Sequence, residues 1–224
     1  MDFQGKKILV IGATGVFGSL IAQTLVARGA HVYGSAKDAS TAEKLPAQVS
    51  TKLLLDLENP ASIEAVVSYL STETLHGIIN AAGVVGFGRA NETSASDAAR
   101  LMQINHLGPA AVISGLYESL KRAEGSFVSS VTGVVAEKVF PGMSAYTSSK
   151  TAHSAFLSSI ALEWRRDKIQ ITEARPGHTE TGLATRALFG QAPAFPQGMT
   201  PEHVVEVILT GIESGTALLS SDTF

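Results

Sequence analysis

The chain is a succession of short runs that are apolar nearly throughout, separated by segments whose apolar residues recur every three or four positions. The short runs are KILVIG (7–12), HVYGSA (31–36), TKLLLD (51–56), GIINAAG (77–83), GSFVSS (125–130), IQITEA (169–174) and GTALLSS (215–221). A strand that is apolar on both sides must be covered on both faces, which indicates a parallel sheet between layers of helix. The segments between the runs carry helix signals. In FGSLIAQTLVARG, Leu20, Ile21, Thr24, Leu25 and Arg28 fall at helical spacing, and Gly29 ends the run. Asn59 before Pro60 and Thr200 before Pro201 each pair a capping side chain with a proline in the first turn, where its missing N–H costs nothing. Crossovers between parallel strands are right-handed. The pattern therefore predicts an α/β class, doubly wound, three-layer αβα fold with a seven-stranded parallel sheet. No repeat, low-complexity stretch or linker interrupts it, so residues 1–224 read as one domain. Within it GHTETGLATRALFGQAPAFPQGM (177–199), with its Gly, Pro and scattered apolar residues, reads as a long loop or lid.

Composition narrows the function classes. A chain of 224 residues with 45% hydrophobic and 17% charged content can bury a substantial core. Its net charge of -3, without any run of like charge, gives nucleic acid or an anionic membrane surface nothing to hold. No stretch approaches the roughly 18 apolar residues of a membrane span. The start MDFQGKKILVIGATG lacks the form of an export signal, so a cytoplasmic location is expected. The absence of cysteine excludes disulfides and thiolate chemistry, and the six histidines lack paired ligand spacing, so no metal site is expected.

Two stretches carry chemistry. In IGATGVFG, Gly12, Gly15 and Gly18 stand three apart between the first strand and the first helix. Glycine there lets the backbone approach a pyrophosphate while the helix start offers N–H groups and partial positive charge. A tight turn with no ligand is the alternative. In AYTSSKTA, Tyr146 precedes Lys150 by one helical turn. On a surface such a pair is worth only a few tenths of a kcal/mol. To exchange protons near neutrality the phenol, with a pKa of about 10, needs a depression of about three units, or about 4 kcal/mol. A lysine about 5 Å away supplies roughly 3 kcal/mol at an effective dielectric near 20 and much less in water, so the pair matters only in a cleft.

The glycine turn, NAAG at 80–83, Tyr146 with Lys150, and PGHTET at 176–181 occur in that order. Together they resemble the short-chain dehydrogenase/reductase family over nearly the whole length. Ile11 and Val16 stand where its compact single-domain branch carries threonine and glycine, and the resulting GxxGxxG looks like the extended branch. The short region after the seventh strand favours the compact branch. The resemblance implies a Rossmann-type fold and an NAD(P)-dependent oxidoreductase that interconverts a carbonyl and a secondary alcohol. Tyr146 would be the general acid/base, and Lys150 would lower its pKa and hold the nicotinamide ribose. Ser130 would polarise the substrate oxygen, with Thr132 its rival. Ser130 lies 16 positions before Tyr146, a longer spacing than the compact branch usually has, so AEKVFPG reads as a small insertion. Asn105 would hold a water on a proton route.

The same resemblance places the cofactor against Gly12, Thr14, Gly15, Val16, Phe17 and Gly18 at the pyrophosphate, and Asp56 and Leu57 at the adenine. It places Asn80, Ala81, Ala82 and Gly83 along its middle, and Tyr146, Lys150, Pro176, Gly177, Thr179 and Thr181 at the nicotinamide. At the end of the second strand, Ala36 fills the position where NAD binding needs a carboxylate, and Lys37 follows, with Ser35 before it. This favours NADP, with NAD possible; Asp38, one residue on, and a merely solvated Lys37 are the counter-readings. The lid residues Leu183, Ala184, Leu188, Phe189 and Phe195 suggest an apolar pocket for a small carbonyl or alcohol. A homodimer or homotetramer is implied by the resemblance, and Ala152, Phe156 and Ile160 fit it, although burial within one subunit explains them equally. Glu173 and Arg175 share one strand face, as an ion pair or a substrate contact. The altered glycine turn and displaced serine keep a second class open, a catalytically weak dinucleotide sensor or scaffold.

Overall fold

The computed structural model describes residues 2–224, and in it all seven apolar runs form strands. They are β1 (Lys7–Ile11), β2 (His31–Ala36), β3 (Thr51–Leu54), β4 (Gly77–Asn80), β5 (Phe127–Val131), β6 (Gln170–Ala174) and β7 (Leu218–Leu219). They pair in parallel in the order β3-β2-β1-β4-β5-β6-β7. The order reverses between β1 and β4, the switch point beyond whose strand ends a doubly wound sheet leaves its crevice.

The helices are α1 (Val16–Ala27), α2 (Ala39–Ala42), α3 (Pro60–Leu70), α4 (Ala95–Met102), α5 (Gly108–Gly115), α6 (Tyr117–Lys121), α7 (Ser144–Glu163) and α8 (Pro201–Ser214). One apolar layer joins the sheet to α1 and α8 through Ile8, Val10, Ile21, Leu25, Ile208 and Ile212. The other joins it to α3, α5 and α7 through Leu9, Ile78, Val128, Ile63, Val112 and Leu157. The caps are where the sequence puts them: Asn59 Oδ1 accepts from the Ala61 N–H, and Thr200 Oγ1 accepts from the His203 N–H.

Some boundaries differ from expectation for local reasons. β7 is only two residues long, because Gly215 is the left-handed cap of α8 (φ 76°) and the Thr216 N–H still bonds to the Gly211 carbonyl. β4 stops at Asn80, whose Oδ1 accepts from the Ala82 N–H and turns the chain out of the sheet. A wide turn, Gln103–Leu107, joins α4 to α5. Pro109 withholds the N–H that the Asn105 carbonyl would take in an α-helix, which accounts for widening at this place.

Phe156 and Ile160 pack within the subunit, in the layer that holds Leu157 and Trp164. Burial in one chain is therefore sufficient to explain that apolar spacing. Among the described residues no helix is long and apolar enough to cross a membrane.

Candidate active site

The register of the central strands sets up the site. Ile11, Asn80, Ser130 and Glu173 are successive partners across β1, β4, β5 and β6, which places three polar residues in one row at the carboxyl ends of the strands. Beyond that row lies a cleft of about 310 Å³. Its walls include Gly12, Thr14, Gly15, Ser35, Lys37, Asp56, Leu57, Ala81, Ala82 and Gly83.

The glycine turn is built for close approach. Gly12 adopts φ 78°, and a Cβ on it would stand 2.8 Å from the Ala82 Cα. α1 starts after Gly15 with no side chain capping it, so its first N–H groups remain for an anion. Val16 and Phe17 begin the helix, and Gly18 is buried against the turn. A Cβ on Gly83 would lie 3.1 Å from Lys150 Nζ and 3.4 Å from Asn105 Oδ1, so the far end of the cleft abuts those side chains. The anion cradle, the long slot and the cation beyond it fit a dinucleotide.

At the end of the cleft beside β2 and β3, Asp56 Oδ1 accepts from the Glu58 N–H, and Leu57 is buried. Ser35 does not face outward: its Oγ accepts from the Gly12 N–H at 3.0 Å, fastening the glycine turn to β2. Lys37 is not merely solvated. Its Nζ lies 3.0 Å from Glu58 and 3.8 Å from Asp56, and Arg100 holds the same Glu58 at 2.8 Å. Arg100 and the neighbouring lysine hold the Glu58 carboxyl down to about 2. Neither Glu58 nor Arg100 was indicated by the sequence; a carboxylate two residues past Asp56 was its only signal.

At the other end, Tyr146 and Lys150 are both buried, at 8% and 6% exposure, one turn apart on α7. Lys150 Nζ donates to the Val131 carbonyl at 2.9 Å. Burial pushes the Tyr146 phenol up to about 12 and the Lys150 ammonium down to about 8. This runs against the expected depression of the phenol: loss of hydration is the cause that acts on it, and it disfavours the charged form of each group. Asn105 is buried and does not face solvent. It receives the Val84 N–H at Oδ1, and its Nδ2 donates to the Val84 carbonyl and to Ser149 Oγ.

Ser130 is fully buried, and its Oγ lies 3.1 Å from Nε2 of His153, a residue the sequence reading passed over. Its signal was its place three positions after Lys150, on the same helix face. Ser129, next to it on the strand, points to the opposite face of the sheet, and its hydroxyl finds no partner among the described residues. Thr132 Oγ1 donates to Glu173 Oε1 at 2.6 Å, so its hydroxyl is engaged within β5 and β6. Glu173 also takes two bonds from Arg175, at 2.9 and 3.0 Å, so the two form a partly buried ion pair.

Pro176 and Gly177 follow β6. The Pro176 carbonyl accepts from the Val134 N–H, Thr179 Oγ1 donates to the Gly177 carbonyl, and Thr181 Oγ1 accepts from the Leu183 N–H. His178 stacks on Phe195 within the lid. Tyr146 is surrounded by Val85, Phe87, Leu101 and Val135, with Leu183, Leu188 and Phe189 of the lid packed against them. The lid is tied by its backbone: the Leu188 N–H donates to Val85, and the Phe87 N–H donates to Phe189. Val84 and Leu188 belong both to the cleft and to this apolar chamber, which makes the two continuous.

Sheet order, crevice and glycine turn define a nucleotide-binding α/β protein of the doubly wound class. The chain belongs to the short chain dehydrogenase family, whose profile matches residues 6–189. It is 29% identical to a dehydrogenase/reductase SDR family protein 7-like from Anopheles gambiae, over 93% of this chain and 72% of that one. Its identity to a 3-oxoacyl-[acyl-carrier-protein] reductase FabG from Salmonella typhimurium is 27%, over 99% and 92% of the two chains. A short-chain dehydrogenase from Sphingobium yanoikuyae, solved in complex with NADPH, superposes with a TM-score of 0.88 at 22% identity, over 96% of this chain and 87% of that one.

Proposed function

We propose that this chain is an NADP-preferring oxidoreductase that interconverts a carbonyl and a secondary alcohol on a small, largely apolar molecule. The observation that carries the reading is the placement of Tyr146 and Lys150, buried one turn apart, where the dinucleotide-shaped cleft meets the chamber under the lid. The dinucleotide, when bound, supplies or accepts the hydride. Gly12, Thr14, Gly15, Val16, Phe17 and Gly18 would hold its pyrophosphate, Asp56 and Leu57 its adenine, and Lys150 with Asn80, Ala81, Ala82 and Gly83 its nicotinamide half. Pro176, Gly177, Thr179 and Thr181 would close over the ring.

Tyr146 gives the proton to the substrate oxygen in reduction and takes it back in oxidation. Its hydroxyl, raised to about 12 by burial, holds the proton at neutral pH, and giving that proton up depends on the charge of Lys150 beside the cleft. Lys150, at about 8, is cationic for the most part at neutral pH and favours the phenolate that forms. Asn105 holds the loop at Val84 and, through Ser149, the first turns of α7. NADP preference is supported by Lys37 and Arg100, two cations at the adenosine end whose ion-pair partners Asp56 and Glu58 line the cleft.

Replacing Tyr146 by Phe is expected to lower turnover at least about 100-fold on a carbonyl panel followed by loss of reduced-nicotinamide absorbance. The dissociation constant for the reduced dinucleotide should move less than about twofold. Equal turnover in wild type and variant would reject the assignment. One observation favours a second reading, a weakly catalytic dinucleotide sensor: the Ser130 hydroxyl is spent on His153. Tight dinucleotide binding with no turnover across aldehydes, ketones, quinones and keto esters would select it.

A further inference from the structure

The candidate chemistry uses Tyr146, Lys150 and Ser130, yet a fourth titratable group is buried among them. His153 is 1% exposed on α7, one turn beyond Lys150. Two groups converge on its Nε2: Ser130 Oγ at 3.1 Å and Asn80 Nδ2 at 3.5 Å. The Asn80 amide cannot turn over freely, because its Oδ1 accepts the Ala82 N–H at 3.2 Å. An amide NH₂ therefore faces Nε2, which favours a lone pair there and places the ring proton on Nδ1, a buried atom with no partner of its own among the described residues. Ser130 must then be the donor in its own contact. The surroundings keep the ring uncharged: Lys150 lies on the same helix, His106 comes edge-on from the wide turn with centroids 5.9 Å apart, Phe156 stacks on it at 5.7 Å, and from the sheet Asn80 and Ser130 present neutral groups. Burial first, then Lys150 and His106, depress its pKa to about 3.

From this arrangement we infer that His153 is a positioning residue for Ser130, accepting the serine proton at Nε2 and holding the hydroxyl turned into the sheet–helix interface. Ser130 then meets a ligand with its lone pairs, and it can donate to a substrate oxygen only after leaving His153. The inference rests on the oxidoreductase reading for its kinetic consequence but not for its structural one, so the test has two arms.

In the first arm, imidazole nitrogen NMR on the intact protein with labelled histidines, His153 assigned by its loss in His153→Leu, should show the Nδ1–H tautomer. It should show no titration between about pH 5 and 8. Ser130→Ala should shift its Nε2 resonance. An Nε2–H tautomer, a titration near the ordinary pKa of about 6.5, or no response to Ser130→Ala would overturn the inference whether or not the protein turns anything over.

In the second arm, carbonyl reduction is compared in wild type, His153→Leu, Ser130→Ala and the double variant. Freed from one hydrogen bond, Ser130 should raise kcat about threefold or more in His153→Leu, with KM little changed. The gain should vanish when Ser130 is alanine, and His153→Gln, whose amide oxygen can still accept, should return kcat to the wild-type value. The dissociation constant of the reduced dinucleotide, unchanged across the set, certifies folding. An equal effect of His153→Leu with and without Ser130 would overturn the inference and leave His153 as packing. Absence of turnover in wild type would instead reject the oxidoreductase reading, with the NMR arm still deciding the role of His153.

Discussion

His153 also gives the acid stability of the protein a single-residue component. Its folded pKa of about 3 lies below the ordinary 6.5, so the unfolded chain binds a proton that the folded chain refuses throughout the window between them. Stability from this group is complete above 6.5 and is lost as pH falls toward 3. At about pH 4.5 the loss amounts to roughly 2–3 kcal/mol. Urea unfolding at about pH 7 and 4.5 is expected to show a drop that is smaller by that amount in His153→Leu; an identical drop in both would show that the imidazole is not held neutral. Lys150 works at the other end of the scale. Its depressed pKa means that burial costs most below about 8 and is relieved as the amine deprotonates. The same desolvation acts on Tyr146 in the opposite sense. That opposition is why spacing alone, which put the two side chains on one helix face, did not give the direction in which burial would move each of them.

The lid shows what can be read at the level of an element and what cannot. Glycine, proline and scattered apolar residues identified 177–199 as a loop, and the structure gives it only one short turn, Ala184–Arg186. Its docking was not legible, because the bonds that fasten it run from backbone to backbone and leave no side-chain pattern. Gly190 marks the tightest point: it has φ 70°, and a Cβ there would come within 1.7 Å of the Phe87 carbonyl oxygen. Alanine at this position is expected to undock the segment at a cost of about 1–3 kcal/mol. Limited trypsin digestion would then cut after exposed Arg186 faster than in wild type, and unchanged cleavage would count against a docked lid. The strands, by contrast, were legible in number, order and position, although β4 and β7 are shorter than their apolar runs. Burial on both faces leaves Ile8–Ile11 of β1 and 77–79 of β4 without a polar side chain, whereas Ser35 and Ser130 look alike in sequence although one fastens the glycine turn and the other meets a histidine.

For the molecule as a whole, the switch point in the sheet concentrates binding energy in one crevice, so a ligand there should stabilise the entire chain. At about 100 times its dissociation constant a dinucleotide adds about 2.7 kcal/mol, which for a chain of this size raises Tm by about 5–10 °C. If Lys37 and Arg100 select the phosphorylated form about tenfold, NAD at the same concentration should give about 1.4 kcal/mol less. Lys37→Gln should bring the two shifts together, and equal shifts in wild type would remove the preference. The sequence located this end of the crevice through Ala36 and Lys37. It did not reveal that Glu58 already bridges two cations there, since that contact joins residues 42 positions apart.

The mode of attachment of the lid has a bearing on how such a protein diversifies. Peptide groups of Leu188 and Phe189 clip it to Val85 and Phe87. Exchanging the side chains at 183, 184, 187 or 188 would remodel the walls around Tyr146 without unfastening the cover. Evolution, or a directed library, can thus retune which molecules are accepted while the enclosure persists.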